Sequence, residues 1–361
     1  MARSDNSTAT GIKKHVPGLG VVLTSQGGGQ IFGFDINASG SDGLLAAGSI
    51  QVFDENTGKI TATFPKHIPK TTSYTLDGIF TGDVGLVTRY VVAKGKLYAK
   101  RFYDLVSPVT VAKFTGDWTP PVRDIQVEAA GPNQTTSETA IYAIELKNED
   151  SPILFGSNIA KNTFGKVIQL DPSDFTLGDV PQLGQDIATD QAVFATSPDG
   201  GKVGGSAPIN VLFNLRTGKS TEFQGLNNGF FGAGFVNGLA VDSATGIAAT
   251  TTELNAQVAF YDLVKQTGTA VQLPCTGSGS QLSSGSGIAN DSASGLFLVT
   301  EQFYCNSGEG AILVYDETGT LFETITGFNF AIGEPPPVLN PSERMGWAYG
   351  PHRNQLQQFF Y

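Results

Sequence analysis

The chain has 361 residues and a net charge of −11, with 45 glycines, 18 prolines and only 15% charged residues. This composition is typical of many short strands joined by turns and would repel a polyanion, so we expect an all-β fold and no nucleic-acid partner. No run reaches the roughly 20 apolar residues that cross a bilayer, so we expect no membrane span.

The first residues of the chain are polar. We expect residues 1–19 to form an N-terminal tail and residues 20–361 to form a single domain, present as a monomer. Residues 1–10 lack the apolar segment of a signal peptide, so the protein is either exported after removal of a signal or cytoplasmic. The cysteines discussed below favour a secreted or periplasmic protein, with the cytoplasm as the alternative.

A candidate calcium loop follows the first strand-like segments. Asp35, Asn37 and Ser39 place oxygen-bearing side chains at alternate positions before Gly40, and Asp42 follows. Alternate residues of a tight bend point inward, which is the geometry of calcium-binding loops. The loop resembles the calcium hairpins of integrin-type propellers, so Ca2+ is the cofactor we expect, in a structural role. The alternative is a plain β-hairpin turn.

Six turns along the chain share a signature, in which an aromatic or large apolar residue precedes Asp or Asn. Asp and Asn side chains cap such bends, and a following glycine accepts positive φ. The pairs are Phe53-Asp54, Tyr103-Asp104, Leu170-Asp171, Phe213-Asn214, Tyr261-Asp262 and Tyr315-Asp316.

A spaced repeat sets the unit length. Residues 238–252 and 287–301 resemble each other at a separation of 49 positions, which suits one four-stranded blade of a β-propeller. We therefore expect a six-bladed propeller whose closing blade is shared by N- and C-terminal strands. Seven blades are the alternative, because the strand-like segments Val21–Ser25 and Ile31–Ile36 are then assigned as well.

The two cysteines fall in loops that a propeller places together. Cys275 lies before the first strand of one blade, and Cys305 lies after its second strand, so both loops lie on the same face. We expect a disulfide and hence an oxidising compartment, with two free thiols as the alternative.

The blade length, the Asp-containing turns and the split closing blade resemble the six-bladed propellers of the gluconolactonase, strictosidine-synthase and NHL-repeat group. That group contains calcium-dependent lactone hydrolases as well as binding proteins, so the resemblance implies a fold rather than one activity.

The first strand of each blade lines the central funnel, so the residues just before these strands are expected to ring one mouth. The predicted ring contains Asp77, Arg123, Asp190, Asn237 and Ser286. The oxygen side chains of Asp77, Asp190 and Asn237 suit a hard cation, and the resemblance implies that such a metal polarises a carbonyl or activates water. The alternative is that these residues only cap turns.

Two functions follow from these residues. The first is ligand or partner binding, in which one face of an exported propeller holds a protein, a glycan or a small molecule. The second is a metal-assisted hydrolase, lactonase or isomerase that acts on a small molecule in the funnel. Convergence of three oxygen side chains at one mouth would favour the enzyme.

Overall fold

The architecture comes from a computed structural model. It describes the following residues: 5–15, 19–25, 30–36, 48–54, 56–64, 78–81, 84–91, 96–104, 110–114, 124–133, 138–147, 151–158, 163–169, 182–186, 191–196, 209–214, 220–224, 236–242, 244–252, 257–274, 285–302, 309–330, 336–350 and 355–361. These residues are almost entirely strand, and the all-β expectation is confirmed.

The strands are numbered in chain order. The first fourteen are β1 (Asp5–Thr8), β2 (Lys13–His15), β3 (Leu19–Ser25), β4 (Gln30–Ile36), β5 (Gly48–Asp54), β6 (Ile60–Phe64), β7 (Gly78–Thr81), β8 (Val84–Val91), β9 (Lys96–Asp104), β10 (Thr110–Phe114), β11 (Asp124–Asn133), β12 (Glu138–Lys147), β13 (Ser151–Asn158) and β14 (Thr163–Gln169). The remaining fifteen are β15 (Gln182–Asp186), β16 (Gln191–Thr196), β17 (Ile209–Asn214), β18 (Ser220–Gln224), β19 (Val236–Asp242), β20 (Ile247–Thr252), β21 (Gln257–Asp262), β22 (Thr267–Gln272), β23 (Gly285–Asp291), β24 (Leu296–Glu301), β25 (Gly310–Asp316), β26 (Leu321–Phe328), β27 (Val338–Asn340), β28 (Met345–Gly350) and β29 (Gln355–Phe360).

These strands pair into seven sheets. Five sheets take four consecutive antiparallel strands each, namely β3–β6, β7–β10, β11–β14, β15–β18 and β19–β22. The sheet β23–β26 gains β1 as a fifth strand, and the last sheet has the order β2-β29-β28-β27. The described strands thus make one sheet more than the six blades expected, because β3 and β4 complete the sheet of β5 and β6. The C-terminal strands form a sheet of their own instead.

The sheets stand side by side around a centre. The first strand of each sheet contacts the first strand of the next, in the order β7, β11, β15, β19, β23, β27 and β3. Contact between β27 and β3 brings the last sheet beside the first and closes the circle. The innermost position of the first strands agrees with the sequence prediction.

N-terminal residues join the last two sheets. β2 pairs antiparallel with β29 in the register Lys13↔Gln357, while β1 pairs in parallel with β26 in the register Asp5↔Glu323. The closing sheet is therefore shared by N- and C-terminal strands, as expected from the sequence. The segment expected as a polar tail contains both β1 and β2, because backbone pairing at a sheet edge needs no hydrophobic pattern.

The middle strands are buried on both faces. In β25, Leu313 and Tyr315 pack toward the sheet β19–β22, whereas Ile312 and Val314 pack toward the closing sheet. Phe260 meets the ring of Phe297 edge-on, with centroids 5.6 Å apart. Each sheet therefore needs a neighbour on both sides, which explains the continuous apolar runs and the abundance of phenylalanine.

The Asp-containing turns lie where the sequence places them, with one exception. Asp316 Oδ1 accepts hydrogen bonds from the backbone N–H groups of Thr318 and Thr320, both at 2.8 Å, and Gly319 follows with φ of 82°. The pair Leu170-Asp171 differs, since β14 before it is already the fourth strand of its sheet. Of the described residues, only Pro341–Glu343 form a helix, which is a single 3-10 turn. No helix of the described residues has the length and apolarity needed to cross a membrane.

The N-terminal closure makes a testable prediction at Gly11. A Cβ placed there would lie 2.5 Å from the backbone oxygen of Gln358 and 2.7 Å from its carbonyl carbon. We expect Gly11→Ala to lower the free energy of unfolding by about 1–3 kcal/mol, because two backbones must move apart. Urea denaturation measures the loss, and the exposed neighbour substitution Thr10→Ala serves as the control. Equal stability of the two variants would contradict tight docking of this segment.

Candidate functional site

The two ends of the sheets carry connections of different length. Because the strands alternate in direction, the connections that enter first strands and those between second and third strands share one face. They include the segments 65–77, 197–208 and 273–284. The opposite face carries turns of a few residues, such as those between β19 and β20 and between β25 and β26. We call these the long-loop face and the short-turn face.

Four residues of the predicted ring belong to the entrances of innermost strands. Asn237 and Ser286 are the second residues of β19 and β23, two adjacent innermost strands, at the long-loop face. Asp77 and Arg123 directly precede the innermost strands β7 and β11 in sequence and lie outside the described residues. The backbone thus brings Asn237 and Ser286 to equivalent places, as their repeat predicts.

Asp190 has a different position in its sheet from the one its sequence suggests. It lies outside the described residues, and the strand that follows it, β16, is the second strand of its sheet rather than the innermost one. The innermost strand is β15, whose sequence Gln-Leu-Gly-Gln-Asp is polar and lacks the alternation that marks a strand. The sequence therefore suggests the apolar strand β16, instead of β15, as the innermost strand of this sheet.

A buried carboxylate at the end of β24 lies near the same mouth. Glu301 is opposite Gly285 in the register of β23 and β24, one residue from Ser286, and its side chain is fully buried. The preceding Thr300 donates a 3.1 Å hydrogen bond from Oγ1 to the backbone oxygen of Gly287. The second strand can therefore bring an acidic group beside the innermost strand.

The candidate calcium loop is described only in part. Asp35 belongs to β4, where it pairs with Leu19 on one side and Ser49 on the other. Asn37, Ser39 and Asp42 lie outside the described residues, in the connection between β4 and β5. Within the described ranges, no three His, Cys, Asp or Glu side chains form a group that could hold a metal ion. Calcium binding stays a prediction.

The cysteine pair also stays a prediction. Both Cys275 and Cys305 lie outside the described residues, and no disulfide lies within the part that the structure describes. Their connections, after β22 and after β24, both lead into the sheet β23–β26 at the long-loop face. This placement is the one that the sequence analysis expected.

On the short-turn face, a polar contact links two neighbouring sheets. Asp242 is the last residue of β19 and is fully buried, and its Oδ1 accepts a hydrogen bond from the backbone N–H of Ala244 at 2.8 Å. Its Oδ2 accepts a 3.3 Å hydrogen bond from Asn290 Nδ2 on the next sheet. Burial raises the pKa of Glu317, and the nearby Asp242 carboxylate raises it further, against a hydrogen bond with Thr245 that lowers it.

The equivalent aspartate of the next sheet binds the end of the chain. Asp291 is fully buried, and its Oδ2 accepts a 3.2 Å hydrogen bond from the Tyr361 hydroxyl. Burial and the Asp291 carboxylate both hold the pKa of Tyr361 well above its ordinary value, although Arg344 acts in the opposite sense. The Arg344 guanidinium lies over the Tyr361 ring, 5.2 Å from its centroid.

These contacts give a structural reason for the aspartates that the two repeat segments share. Asp242 and Asp291 hold equivalent turns, and each also receives a side chain from the following sheet. The sequence indicates the turns, but it carries no signal for contacts between residues 48 or 70 positions apart. The network ties adjacent sheets together, and we assign it a structural role.

The Glu317 site predicts a pH-dependent gain of stability. Because the pKa of Glu317 is raised in the folded protein, its protonated form favours folding and its ionised form opposes folding. The stabilising contribution of the protonated form is therefore lost as the pH rises through the folded-state pKa. We expect Glu317→Gln to raise the free energy of unfolding by about 0.5 kcal/mol at pH 7, a small value because solvent screens the pair. At pH 4 the gain should vanish. The exposed Glu343→Gln is the control, and a gain that does not depend on pH would contradict the assignment.

The Tyr361 contact predicts a loss of stability at alkaline pH, because its pKa is also raised in the folded protein. Tyr361→Phe should lower the free energy of unfolding by about 1 kcal/mol at pH 7, since it leaves Asp291 without this donor. Because the folded-state pKa is raised, the stabilising contribution of Tyr361 is present below about pH 10 and is lost as the pH rises. Chemical denaturation from about pH 9 to 11 should therefore show a steeper decline for the native chain than for the variant. Parallel declines would show that Tyr361 is not the responsible group.

Comparison with known proteins identifies the architecture. No family model matches the chain, and no curated protein matches it. A chain in the crystal structure of a mitotic checkpoint complex superposes with a TM-score of 0.66 at 12% identity, over 100% of this chain and 94% of that one. The Myceliophteria thermophila Cps50 (Swd1) β-propeller domain gives 0.63 at 11% identity, over 98% and 99%. The RRP9 WD40 repeats give 0.63 at 12% identity, over 98% of each chain. The chain therefore has the β-propeller fold.

Proposed function

We propose that this protein is an exported binding propeller that holds a protein or glycan partner on its long-loop face. The observation that supports the proposal most directly is the asymmetry between the two faces. Connections of many residues gather around one mouth, whereas the other face consists of short turns fixed by Asp hydrogen bonds. A rigid ring that presents many loops on one side suits recognition of a large partner.

The ring gives these loops fixed positions. The middle strands β24 and β25 are buried on both faces, so the sheet β23–β26 is clamped between its neighbours. Loops from adjacent sheets therefore start from fixed points, at Asn237 and Ser286 for example. A partner that contacts several sheets gains area without ordering the scaffold, which lowers the entropic cost of binding.

The cysteines fit an exported protein. The connection that contains Cys275 leads into the sheet β23–β26, and the one that contains Cys305 joins the second and third strands of that sheet, so a disulfide between them would fasten two loops of the long-loop face. We include this disulfide and a secreted or periplasmic location in the proposal.

The resemblance to the lactone hydrolases suggests a second function for the same mouth. Glu301 lies beside the innermost strand at the long-loop face, next to Ser286 in register. With Asn237 and Asp77 it would supply the oxygen ligands of a hard cation, and the protein would then act on a small ester or lactone.

The test compares the two faces. The native chain is used to capture partners from an extract of the producing organism, and each purified candidate is then titrated against three proteins by calorimetry. These are the native chain, a long-loop variant with Asp77→Ala and Arg123→Ala, and a short-turn control, Lys265→Ala. We expect a stoichiometric partner whose Kd rises about tenfold or more for the long-loop variant and by less than about twofold for the control.

Two results would contradict the binding proposal. One is a partner that distinguishes the control from the native chain as strongly as it distinguishes the long-loop variant. The other is a stoichiometric metal in the purified protein that a chelator removes, together with an esterase or lactonase activity that both the chelator and Asn237→Ala abolish. That pair of findings would establish the second function.

A further inference from the structure

A groove lies on the outer surface where the N-terminal strand meets the closing sheet. It has a volume of about 520 Å3 and is lined by Ser7, Thr8, Thr10, Glu323, Phe360 and Tyr361. One side is the backbone of β1 and the residues after it, and the other is the end of β29. This place is distinct from the long-loop face, because Tyr361, one of its lining residues, also binds Asp291 at the short-turn face.

The backbone along one side of the groove has a free edge. β1 pairs with β26 on one side, and no described strand pairs with its other side. Thr326 Oγ1 donates to the backbone oxygen of Ser7 at 3.1 Å, and the backbone N–H of Ala9 donates to the backbone oxygen of Thr326 at 3.0 Å. These bonds hold β1 on the sheet and leave its outer row of backbone groups available to an added strand.

The groove carries a negative charge at Glu323. Glu323 Oε1 accepts a 2.7 Å hydrogen bond from Ser7 Oγ, and among the described residues no cation lies within ion-pair distance of this carboxylate. The nearest described guanidinium in this region, that of Arg344, is directed to Tyr361, whose backbone oxygen accepts its Nε–H at 3.0 Å. Asp5 lies opposite Glu323 in the strand register.

An exposed aromatic ring completes the groove. Phe360 is 51% exposed although it ends a strand whose four preceding residues are buried. A large apolar side chain lies beside a carboxylate that has no ion-pair partner among the described residues, and beside a strand edge that no other described strand covers. This combination suits an extended, basic segment of protein chain.

We propose that this groove binds an extended basic segment of a partner protein, which adds to the free edge of β1, places a lysine or arginine on Glu323 and packs an apolar side chain against Phe360. The net charge of −11 favours encounter with such a segment. The site is separate from the proposed long-loop face, and its test does not depend on that function.

The probe is a labelled, terminally blocked hexapeptide of alternating lysine and phenylalanine, titrated with the full chain by fluorescence anisotropy. We expect saturable binding, and no binding of the peptide with glutamate in place of lysine. Glu323→Gln keeps the acceptor for Ser7 but removes the charge, and Phe360→Ala removes the ring. Each should raise the Kd about tenfold, as expected for loss of one strong contact.

Each variant has a matched control elsewhere on the surface. Glu343→Gln removes an exposed carboxylate outside the groove, and Phe322→Ala removes a ring that is 57% exposed and does not line it. Both controls should stay within about twofold of the native Kd. If Glu343→Gln weakens binding as much as Glu323→Gln, the peptide binds by general charge attraction and the proposal is wrong.

Amide hydrogen exchange tests strand addition directly. With the peptide bound, the amides of residues 6–10 should exchange at least about tenfold more slowly, because new backbone hydrogen bonds form along β1. Unchanged exchange in this segment would overturn the proposal, and β1 would then serve only to cover the edge of β26.

Discussion

The architecture depends on the closure of the ring, in which β2 pairs with β29 and β27 contacts β3. Sheets of this protein have apolar side chains on both faces, as the two core clusters on either side of β25 show. An open row of such sheets would expose one apolar face at each end. In the closed ring β27 of the last sheet lies against β3 of the first, and the backbone pairing of β2 with β29 near Lys13 completes the last sheet.

The short-turn face and the long-loop face have different structural roles. On the short-turn face, aspartates hold their own turns and also accept hydrogen bonds from the next sheet, as Asp242 does from Asn290 and Asp291 from Tyr361. These bonds set neighbouring sheets relative to one another at the end where the connections are short. The long-loop face is then free to vary in length and composition without disturbing the ring.

The sequence predicts the parts of this fold that depend on local chemistry. The turn at Asp316 and Gly319 is readable because Asp caps the bend and Gly takes positive φ. Strands β1, β2 and β15 are not readable in this way, because they are polar. β1 and β2 also pair with strands far along the chain. For that reason the interpretation placed Asp190 one strand too far inward.

The candidate functional residues show the same difference between local chemistry and contacts of distant segments. The equivalence of Asn237 and Ser286 follows from the repeat and could be predicted. The groove beside Glu323 and Phe360 could not, because it is formed by segments from opposite ends of the sequence.

The distance along the chain between the closing partners bears on how the protein reaches its native state. Ser7 contacts Glu323 across 316 positions, and Ile12 contacts Gln358 across 346. During synthesis β1 and β2 stay unpaired until β26 and β29 have been made, whereas each intermediate sheet can assemble from consecutive strands. The ring is thus closed last, after its other sheets have had time to form. Until then the apolar sides of the sheets at the opening are exposed, and the nascent chain is most prone to aggregate there.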